Sequence, residues 1–329
     1  MTAKLWRGIN AALTDAMEED SSVVLFGQDV AGPGGPYGLT RGLLERFGPG
    51  RVRDAPISEA AIAGCAVGAA LLGLKPVVEI MFMDFMTLAL DQLVNNAAKY
   101  RFYFPRQEQK GGSLPLVVRT LYGGRASMGP QHSQALEAWL CHVPGLKVGF
   151  ASTPQSAYGI LRAAIEDPGP VVVIEPLSLL SSTGEFDPSA YDRALFEPGT
   201  SRWVRRGDRL TVVSYGTAIP VCEKALDTCG ISADLIDLQW LQPWDFSRVR
   251  ESVERTNRVV VVHDAAQDFG VGAELAARIG QEAFWHLDAP VMRLGAAFSA
   301  IPVRRRDWEE VLPDVGRVVA AFREAMQEC

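Results

Sequence analysis

Glu59 stands directly before the longest uncharged run of the chain, Ala60 to Leu74, whose fifteen residues are mostly alanine, glycine or small aliphatic residues. Ser58 is a favourable N-cap, so the sequence predicts that Glu59 lies in the first turn of a helix. Small side chains along this helix would let another surface approach closely. A carboxylate in such a place is expected to pair with a ligand or a partner chain, or to take up a proton.

His132 is a second candidate for chemistry because of the segments around it. It lies in the stretch 129–134 (GPQHSQ), after the glycine-rich stretch 122–125 and before a predicted helix. A histidine at a strand-to-helix crossover is expected at the carboxyl edge of a parallel sheet, where open sheets bind ligands. This setting favours a functional role over packing, whereas the other histidines, His142, His263 and His286, are expected to be structural.

Other stretches that could do chemistry have simpler explanations. Gly32-x-Gly34-Gly35 and Gly270-x-Gly272 complete neither a dinucleotide fingerprint nor a P-loop, so ordinary turns are favoured. Neither Gly-x-Ser-x-Gly nor His-Glu-x-x-His occurs, which argues against serine hydrolases and zinc proteases. Residues 100–106 interleave aromatic and basic side chains, as a platform for single-stranded nucleic acid might. We favour a helix end that packs on a partner subunit, because the net charge of the chain is −7.

Length and composition narrow the class of protein. At 329 residues, two domains are expected. The negative charge predicts no general attraction to nucleic acid or acidic membranes, and the longest uncharged run is short of the ~18 residues that a membrane span needs. The N-terminus lacks the apolar core of a signal peptide and follows an amphipathic helix pattern through Met17. The five scattered cysteines, without Cys-x-x-Cys, predict reduced thiols in a cytoplasmic protein.

Short apolar runs alternate with helix-length segments along the whole chain. The candidate strands of the first part are Val23–Phe26, Val77–Ile80, Leu116–Val118, Leu146–Val148 and Val171–Ile174. The second part has Leu210–Ser214, Ala233–Ile236, Val259–Val262 and Val291–Leu294, then a helix at about 316–327. This alternation predicts an α/β protein with a doubly wound parallel sheet, followed by a smaller domain of the same class. We expect domains at 1–185 and 201–329, joined by a proline-containing linker at 186–200.

Taken together, these segments resemble the beta subunit of the thiamine-diphosphate-dependent decarboxylating component of 2-oxo acid dehydrogenase complexes. That family includes the pyruvate, acetoin and branched-chain 2-oxo acid dehydrogenases. The resemblance runs in order along essentially the whole chain, through the stretches 27–30, 54–59, 73–85, 91–92, 129–134, 144–148, 214–217, 236–238, 269–274 and 287–290. It implies a transketolase-like pyrimidine-binding domain followed by a transketolase C-terminal-like domain.

The resemblance implies roles for individual residues. Glu59 would hydrogen-bond the ring nitrogen of the cofactor's aminopyrimidine, favouring the imino tautomer that removes the proton from the thiazolium carbon. Phe85 is similar to the aromatic residue that packs on the aminopyrimidine, with Ile57 and Met81 at neighbouring wall positions. His132 would reach the substrate side, assisting either the carboxylate of the 2-oxo acid or acyl transfer to lipoamide.

The chain carries only part of what such an enzyme needs. Thiamine enzymes hold magnesium and the diphosphate on a Gly-Asp-Gly motif, and none occurs here. The resemblance therefore implies an alpha subunit that brings both, in an alpha2beta2 heterotetramer with the cofactor at the interface. The family often also binds potassium in the beta subunit, and the matching positions are Leu116, Ala164, Ile165, Asp167 and Gly169. Pro168 and Gly169 depart from the polar pattern expected there.

The implied activity is oxidative decarboxylation of a 2-oxo acid, with acyl transfer to a lipoyl-bearing acyltransferase or similar carrier. Departures such as Gln28 for the usual glutamate, and Asp264 for the glutamate after His263, suggest a specialised member. The alternative is half of a split transketolase-like enzyme that moves a ketol unit, for example in secondary metabolism. A third reading, from a different class, is a non-catalytic scaffold for the alpha partner, although the intact Glu59, Phe85 and His132 argue against it.

Overall fold

The computed structural model describes residues 1–32, 34–104 and 113–327 of the 329-residue chain. In chain order the strands are β1 (Thr2–Lys4), β2 (Val23–Gly27), β3 (Val52–Asp54), β4 (Lys75–Phe82), β5 (Leu116–Tyr122), β6 (Lys147–Phe150), β7 (Pro170–Pro176), β8 (Thr183–Glu185), β9 (Arg202–Arg205), β10 (Leu210–Ser214), β11 (Ala233–Asp237), β12 (Trp240–Gln242), β13 (Val259–Ala266) and β14 (Met292–Ala296).

The α-helices are α1 (Leu5–Glu19), α2 (Leu43–Phe47), α3 (Glu59–Leu71), α4 (Met86–Asp91), α5 (Tyr100–Tyr103), α6 (Glu137–Cys141), α7 (Pro154–Glu166), α8 (Ile219–Cys229), α9 (Phe246–Thr256), α10 (Val271–Glu282), α11 (Trp308–Val311) and α12 (Val315–Ala325). A π-helical stretch, Gln92–Ala97, follows α4. Within the described part of the chain, none of the helices is both long and apolar enough to cross a membrane. Pro105 and Arg106, part of the aromatic and basic stretch, lie outside the described residues.

The larger sheet has seven strands in the order β12-β6-β7-β5-β4-β2-β3. All its neighbours pair in parallel except β12, which runs antiparallel to β6. The strands β5 and β7 are buried at every residue, as expected for central strands covered on both faces. The predicted α/β class and the parallel sheet are thus confirmed.

Helices cover both faces of this sheet. On one face α1 packs against α7, and a Cβ on Gly8 would come within 2.2 Å of the Pro154 carbonyl oxygen. This close approach requires glycine at that position. The start of α7 is fixed by a capping box between Thr153 and Ser156, with Pro154 in the first turn. On the other face α3 packs against α4 and β4.

The smaller sheet has five strands in the order β14-β13-β10-β11-β9, of which only β9 is antiparallel to its neighbour. Its outer face is covered by α8 and α12. Its inner face, covered by α9 and α10, shares one continuous apolar core with the α3 face of the larger sheet. The two sheets are therefore tied together, and the predicted smaller second α/β domain is confirmed.

The segment predicted as a linker is packed against the larger sheet. Phe186 and Phe196 are buried, and the indole Nε1 of Trp240 donates to the Phe196 carbonyl at 2.9 Å. Just before this segment, β8 pairs antiparallel with β1 and so returns the chain to its N-terminus. Short 3-10 turns at Pro188–Ala190 and Arg193–Leu195 explain why no period is visible in the sequence.

Candidate active site

The candidate site residues gather at the carboxyl edge of the larger sheet. Glu59 opens α3, which follows β3, and Met81 is the penultimate residue of β4. Phe85 ends the 3-10 turn Met83–Phe85 that follows β4, and His132 lies in the loop after β5. Because β3, β4 and β5 are parallel members of one sheet, these segments emerge at the same edge, where open α/β sheets bind ligands.

Glu59 is held in place by its helix but has no partner of its own. Its side chain is only 8% exposed, and no residue within 1–32, 34–104 or 113–327 forms a hydrogen bond or an ion pair with the carboxylate. Ser58 is the N-cap residue, as predicted, but its Oγ donates to the Pro56 carbonyl at 2.9 Å and caps no helical N–H. The helix start was therefore right and the capping interaction wrong. The residue as a whole is buried, but its carboxylate oxygens are not among the fully buried atoms without a partner, so they remain accessible to a donor from outside the chain.

An aromatic wall stands next to the His132 ring. The imidazole meets the rings of Phe82 and Phe85 edge-to-face, with centroids 4.9 and 5.4 Å away. The two phenyl rings lie 6.3 Å apart, and Tyr37 extends the cluster on the far side of Phe82. The structure thus brings the rings of Phe85 and His132 into direct contact. Phe82 contacts both rings, and the sequence analysis did not single it out.

The two remaining wall positions differ in their surroundings. Met81 is half-buried and packs on the core beneath the sheet edge. Ile57 is 73% exposed in the bend before α3. Ile57 could line a cofactor only if the cofactor or a second chain covered this surface. The signal that would have found Phe82 is its position at the end of β4, three residues before Phe85.

The loop that carries His132 is fixed through its main chain. The His132 carbonyl lies so close to Gly123 that a Cβ there would be 1.7 Å from the oxygen, which explains the glycine. The Ser133 hydroxyl donates to the Gly123 carbonyl at 3.3 Å, and the His132 N–H donates to the Gly129 carbonyl at 3.2 Å. On the other side, both the N–H and the amide of Gln134 donate to one carboxylate oxygen of Asp84.

A buried ion cluster crosses the centre of the larger sheet, on the face covered by α1 and α7. Arg119 of β5 donates to Glu79 of β4 at 2.9 Å and to Glu175 of β7 at 2.7 and 2.8 Å. All three side chains are at most 3% exposed. Burial raises the pKa of both glutamates, and the Arg119 guanidinium opposes that rise. Sequence reasoning missed this cluster, although one charged residue in each of three apolar strands was a visible signal.

A second set of buried polar groups joins the two domains. Arg125, in the glycine-rich loop after β5, donates to both carboxylate oxygens of Asp264 and to the Pro313 carbonyl, the latter at 2.7 Å. The Thr217 hydroxyl also donates to Asp264, at 2.6 Å. The shorter side chain at 264 therefore has a complete set of partners. These contacts hold the His132 side of the larger sheet against the second domain.

Among the other histidines, His263 fits a structural role together with the second glycine pair. His263 is fully buried, its Nδ1 lies 3.1 Å from the Ala265 carbonyl oxygen, and burial lowers its pKa to about 4. A Cβ on Gly272 would come within 2.2 Å of His263 Nε2, so this glycine allows close packing. His142 is exposed, and His286 lies 3.6 Å from Glu254 on the surface.

The five positions matched to potassium do lie together, between the start of β5, the end of α7 and the start of β7. Both oxygens of Asp167 already accept from the Lys147 ammonium, at 2.7 and 2.6 Å, and one also accepts from the Gly169 N–H at 2.8 Å. An ion here would therefore depend on main-chain carbonyl oxygens. No cluster of three or more His, Cys, Asp or Glu suited to a metal occurs among the described residues.

A cavity of about 590 Å³ opens between the domains beside the His132 loop. Its lining includes Gln134, Trp139, Asp264, Phe269 and Phe298, and neither Glu59 nor Phe85 contributes to it. The surface that presents Glu59 therefore does not line this cavity.

Comparisons with known proteins agree with this architecture. Residues 2–182 match the model of the transketolase pyrimidine-binding domain, and residues 199–315 match that of the transketolase C-terminal domain. A solved split-gene transketolase, described as an inactive beta4 tetramer, superposes with a TM-score of 0.78 over 97% of both chains. At 21% identity this likeness shows the fold alone.

Relatives in sequence are more specific. The chain is 37% identical to the mitochondrial pyruvate dehydrogenase E1 component subunit beta-2 of Oryza sativa subsp. japonica, over 96% of this chain and 84% of the relative. It is 40% identical to the mitochondrial 2-oxoisovalerate dehydrogenase subunit beta of Dictyostelium discoideum, over 88% of this chain and 78% of the relative. The resemblance found in the sequence is confirmed, and the chain belongs to the transketolase-like family of pyruvate and 2-oxoisovalerate dehydrogenase beta subunits.

Proposed function

We propose that this chain is the beta half of an oxidoreductase that decarboxylates a 2-oxo acid on thiamine diphosphate and passes the acyl group to a lipoyl carrier. The observation that carries the proposal is that Glu59, a buried residue whose carboxylate has no partner among the described residues, lies at the same sheet edge as Phe85 and His132. A proton held between this carboxylate and a ligand nitrogen would satisfy it. The Glu59 carboxylate and the nearby Phe85 ring therefore fit an aminopyrimidine.

The residues of this chain have distinct tasks in the proposed reaction. The Glu59 carboxyl group shares a proton with the ring nitrogen of the aminopyrimidine once that ring is bound. The Phe85 ring offers a flat apolar face to the heterocycle, with Met81 and Ile57 beside it. The His132 imidazole donates a proton on the substrate side, a common role of histidine in catalysis. Thiamine diphosphate, when bound, supplies the carbon nucleophile and the electron sink for decarboxylation.

The outer face of α3 supports a partner chain. Ile62, Ala63 and Ala66 are buried against the sheet, whereas Ala61 and Cys65 are exposed on the opposite side. The helix therefore serves both as a core helix and as a charge-free outer surface, which continues to the exposed Leu72. A surface of this kind, next to Glu59, suits close packing of another subunit.

That subunit would be an alpha chain that holds magnesium and the diphosphate, since this sequence has no Gly-Asp-Gly motif. We propose an alpha2beta2 assembly, a lipoyl-bearing acyltransferase as acceptor, and boundaries at 185 and 201 for the two domains. We also propose that potassium binds near Asp167, held by main-chain carbonyl oxygens. The proposed location of the protein is the cytoplasm. The four described cysteines, Cys65, Cys141, Cys222 and Cys229, are free thiols, and Cys329 lies outside the described residues.

The test compares Glu59→Gln and Glu59→Ala with Glu45→Gln in the purified alpha–beta complex. Glu45 is a good control because it lies in the first turn of α2 but is exposed. Consumption of a 2-oxo acid with an artificial electron acceptor should fall about 100-fold or more in both Glu59 variants and stay unchanged in the control. Subunit assembly and the thermal unfolding midpoint should be unchanged in all three.

Other outcomes would decide against the proposal. Wild-type rates in Glu59→Gln, or no consumption of any 2-oxo acid, would show that the reaction is different. A preference for sugar phosphates over 2-oxo acids would favour the split transketolase alternative. Activity that survives the combined loss of Glu59, Phe85 and His132 would favour a scaffold.

A further inference from the structure

Asp84 is a buried carboxylate in the turn that connects β4 to the aromatic wall. Its side chain is 6% exposed, and it sits in the middle of the 3-10 turn Met83–Phe85. One carboxylate oxygen accepts two hydrogen bonds from Gln134, from the main-chain N–H at 3.3 Å and from the amide Nε2 at 2.8 Å. Asp84 thus holds both the main chain and the side chain of Gln134.

The same turn holds the His132 loop at a second point. The Leu136 N–H lies 2.9 Å from the Met83 sulfur, so two consecutive turn residues contact the segment just after His132. Phe85, the third residue of the turn, packs its ring on the imidazole. A single structural unit thus fixes the aromatic wall and the loop that lies against it. Loss of the Gln134 bonds to Asp84 would leave the turn in place but free the His132 loop to move against it.

The hydrogen bonding of the Asp84 carboxylate is incomplete. Its second oxygen, Oδ2, is buried and has no hydrogen-bond partner among the described residues. An unpaired buried acceptor lowers stability, and such violations are expected mainly at functional sites. Stability alone therefore does not account for an acidic residue at this place.

We propose that Asp84 is a positioning residue that sets the place of His132 by holding Gln134, and that it acts on the reaction only through His132. This inference rests on the proposed function, in which His132 acts beside the substrate. It assigns no contact between Asp84 and the substrate or cofactor. Its consequence is that losing Asp84 matters only while His132 is present.

A double-mutant cycle in the alpha–beta complex tests this directly. Asp84→Ala should lower kcat by about 10- to 100-fold, because a misplacement of about 1 Å can have an effect of that size. The cofactor concentration for half-maximal rate should change little. The double variant Asp84→Ala/His132→Ala should be no slower than His132→Ala alone, within about twofold, whereas independent effects would multiply.

Two further variants separate positioning from simple damage. Asp84→Asn keeps an oxygen acceptor for Gln134 and should restore kcat to within about threefold of wild type. If Asp84→Ala does not fold, Gln134→Ala removes the 2.8 Å bond from an exposed side chain and serves in the same cycle. NMR of histidine-labelled free chain should show a shifted His132 ring signal in Asp84→Ala, with the other three histidine signals unmoved.

Several results would overturn the inference. They are wild-type kcat in Asp84→Ala, multiplied losses in the double variant, or an Asp84→Asn variant as slow as Asp84→Ala. If His132→Ala itself has full activity, the fault lies in the proposed role of His132. If His132→Ala is slow and Asp84→Ala is not, the proposed function stands and only the positioning role fails.

Discussion

Replacing Arg119 with methionine should make the stability of the chain depend steeply on pH. Arg119 is fully buried between Glu79 and Glu175 and forms three hydrogen bonds with them, all between 2.7 and 2.9 Å. Methionine fills much of the same space but carries no charge, so two buried carboxylates lose their cation. A buried carboxylate in that position takes up a proton instead of staying charged.

The size of the effect follows from the cost of that proton. Keeping a glutamate protonated above its ordinary pKa of about 4.3 costs about 1.4 kcal/mol per pH unit, which is about 3.7 kcal/mol at pH 7 and about 1 kcal/mol at pH 5. With one arginine between two carboxylates, the wild type needs at most one such proton, and the variant needs two. The free energy of unfolding should therefore be lower in the variant than in the wild type by about 4 to 7 kcal/mol at pH 7, and by only about 1 to 2 kcal/mol at pH 5.

The sign follows from the raised pKa values. Burial raises the folded-state pKa of Glu79 and Glu175 above the unfolded values, and loss of Arg119 should raise them further. Stability from such groups is complete below the unfolded pKa and is lost as the pH rises through the folded one. The difference between variant and wild type must therefore grow from pH 5 to pH 7.

Urea denaturation followed by intrinsic fluorescence, at pH 5 and pH 7, measures this difference. Arg250→Met is the matched control, because Arg250 is 51% exposed and, among the described residues, its side chain pairs only with Glu254 of its own helix, at 2.7 Å. The control should stay within about 0.5 kcal/mol of wild type at both pH values. A loss in Arg119→Met that is equal at both pH values, or no larger than in the control, would refute the reasoning.

Two further predictions concern the surroundings of the site. Gly123→Ala places a Cβ 1.7 Å from the His132 carbonyl oxygen, so it should lower kcat of the complex by about 10- to 100-fold, whereas Gly50→Ala, with nothing within 4 Å, should not. Equal rates in the two variants would show that the loop yields freely. Burial lowers the pKa of His263 to about 4 in the folded chain, against about 6.5 when unfolded. The neutral His263 therefore stabilises the fold above pH 6.5, and the free energy of unfolding should fall by up to about 3 kcal/mol as the pH drops towards 4. His263→Asn, which keeps a donor for the Ala265 carbonyl, should reduce this acid loss in urea titrations, and an unchanged pH slope would contradict the assignment.

Much of the fold could be predicted from the sequence because buried parallel strands consist of continuous apolar runs. Each of the nine predicted strands forms, with ends that differ by a few residues. The missed strands β1, β3, β8 and β12 are each three residues long, too short for a pattern to be visible. The antiparallel β9 has a half-buried, arginine-containing sequence that resembles a loop. β12 joins the larger sheet through long-range packing, which a local sequence pattern does not predict.

The site was predictable where chemistry demanded a particular residue type. Glu59 and His132 stood out by their setting, and the structure brings their segments to one edge of the sheet. Asp84 did not stand out, because its importance depends on Gln134, fifty positions away in the sequence. The failed Ser58 cap has a similar cause: its hydroxyl finds a nearer acceptor in the Pro56 carbonyl. Such choices between competing hydrogen bonds are decided by geometry that the sequence leaves open.

Several buried carboxylates of this chain contrast with Glu59, and the difference indicates where a partner must act. Glu79, Glu175 and Asp264 are each paired with an arginine inside the fold. Glu59 is buried to a similar degree, yet within the described parts of the chain nothing pairs with it. Removing a paired carboxylate leaves a buried cation unsatisfied and so lowers stability. Removing Glu59 leaves no such group behind, so its loss should affect activity and not folding, as expected for a group whose partner is supplied by a ligand at the face of another subunit.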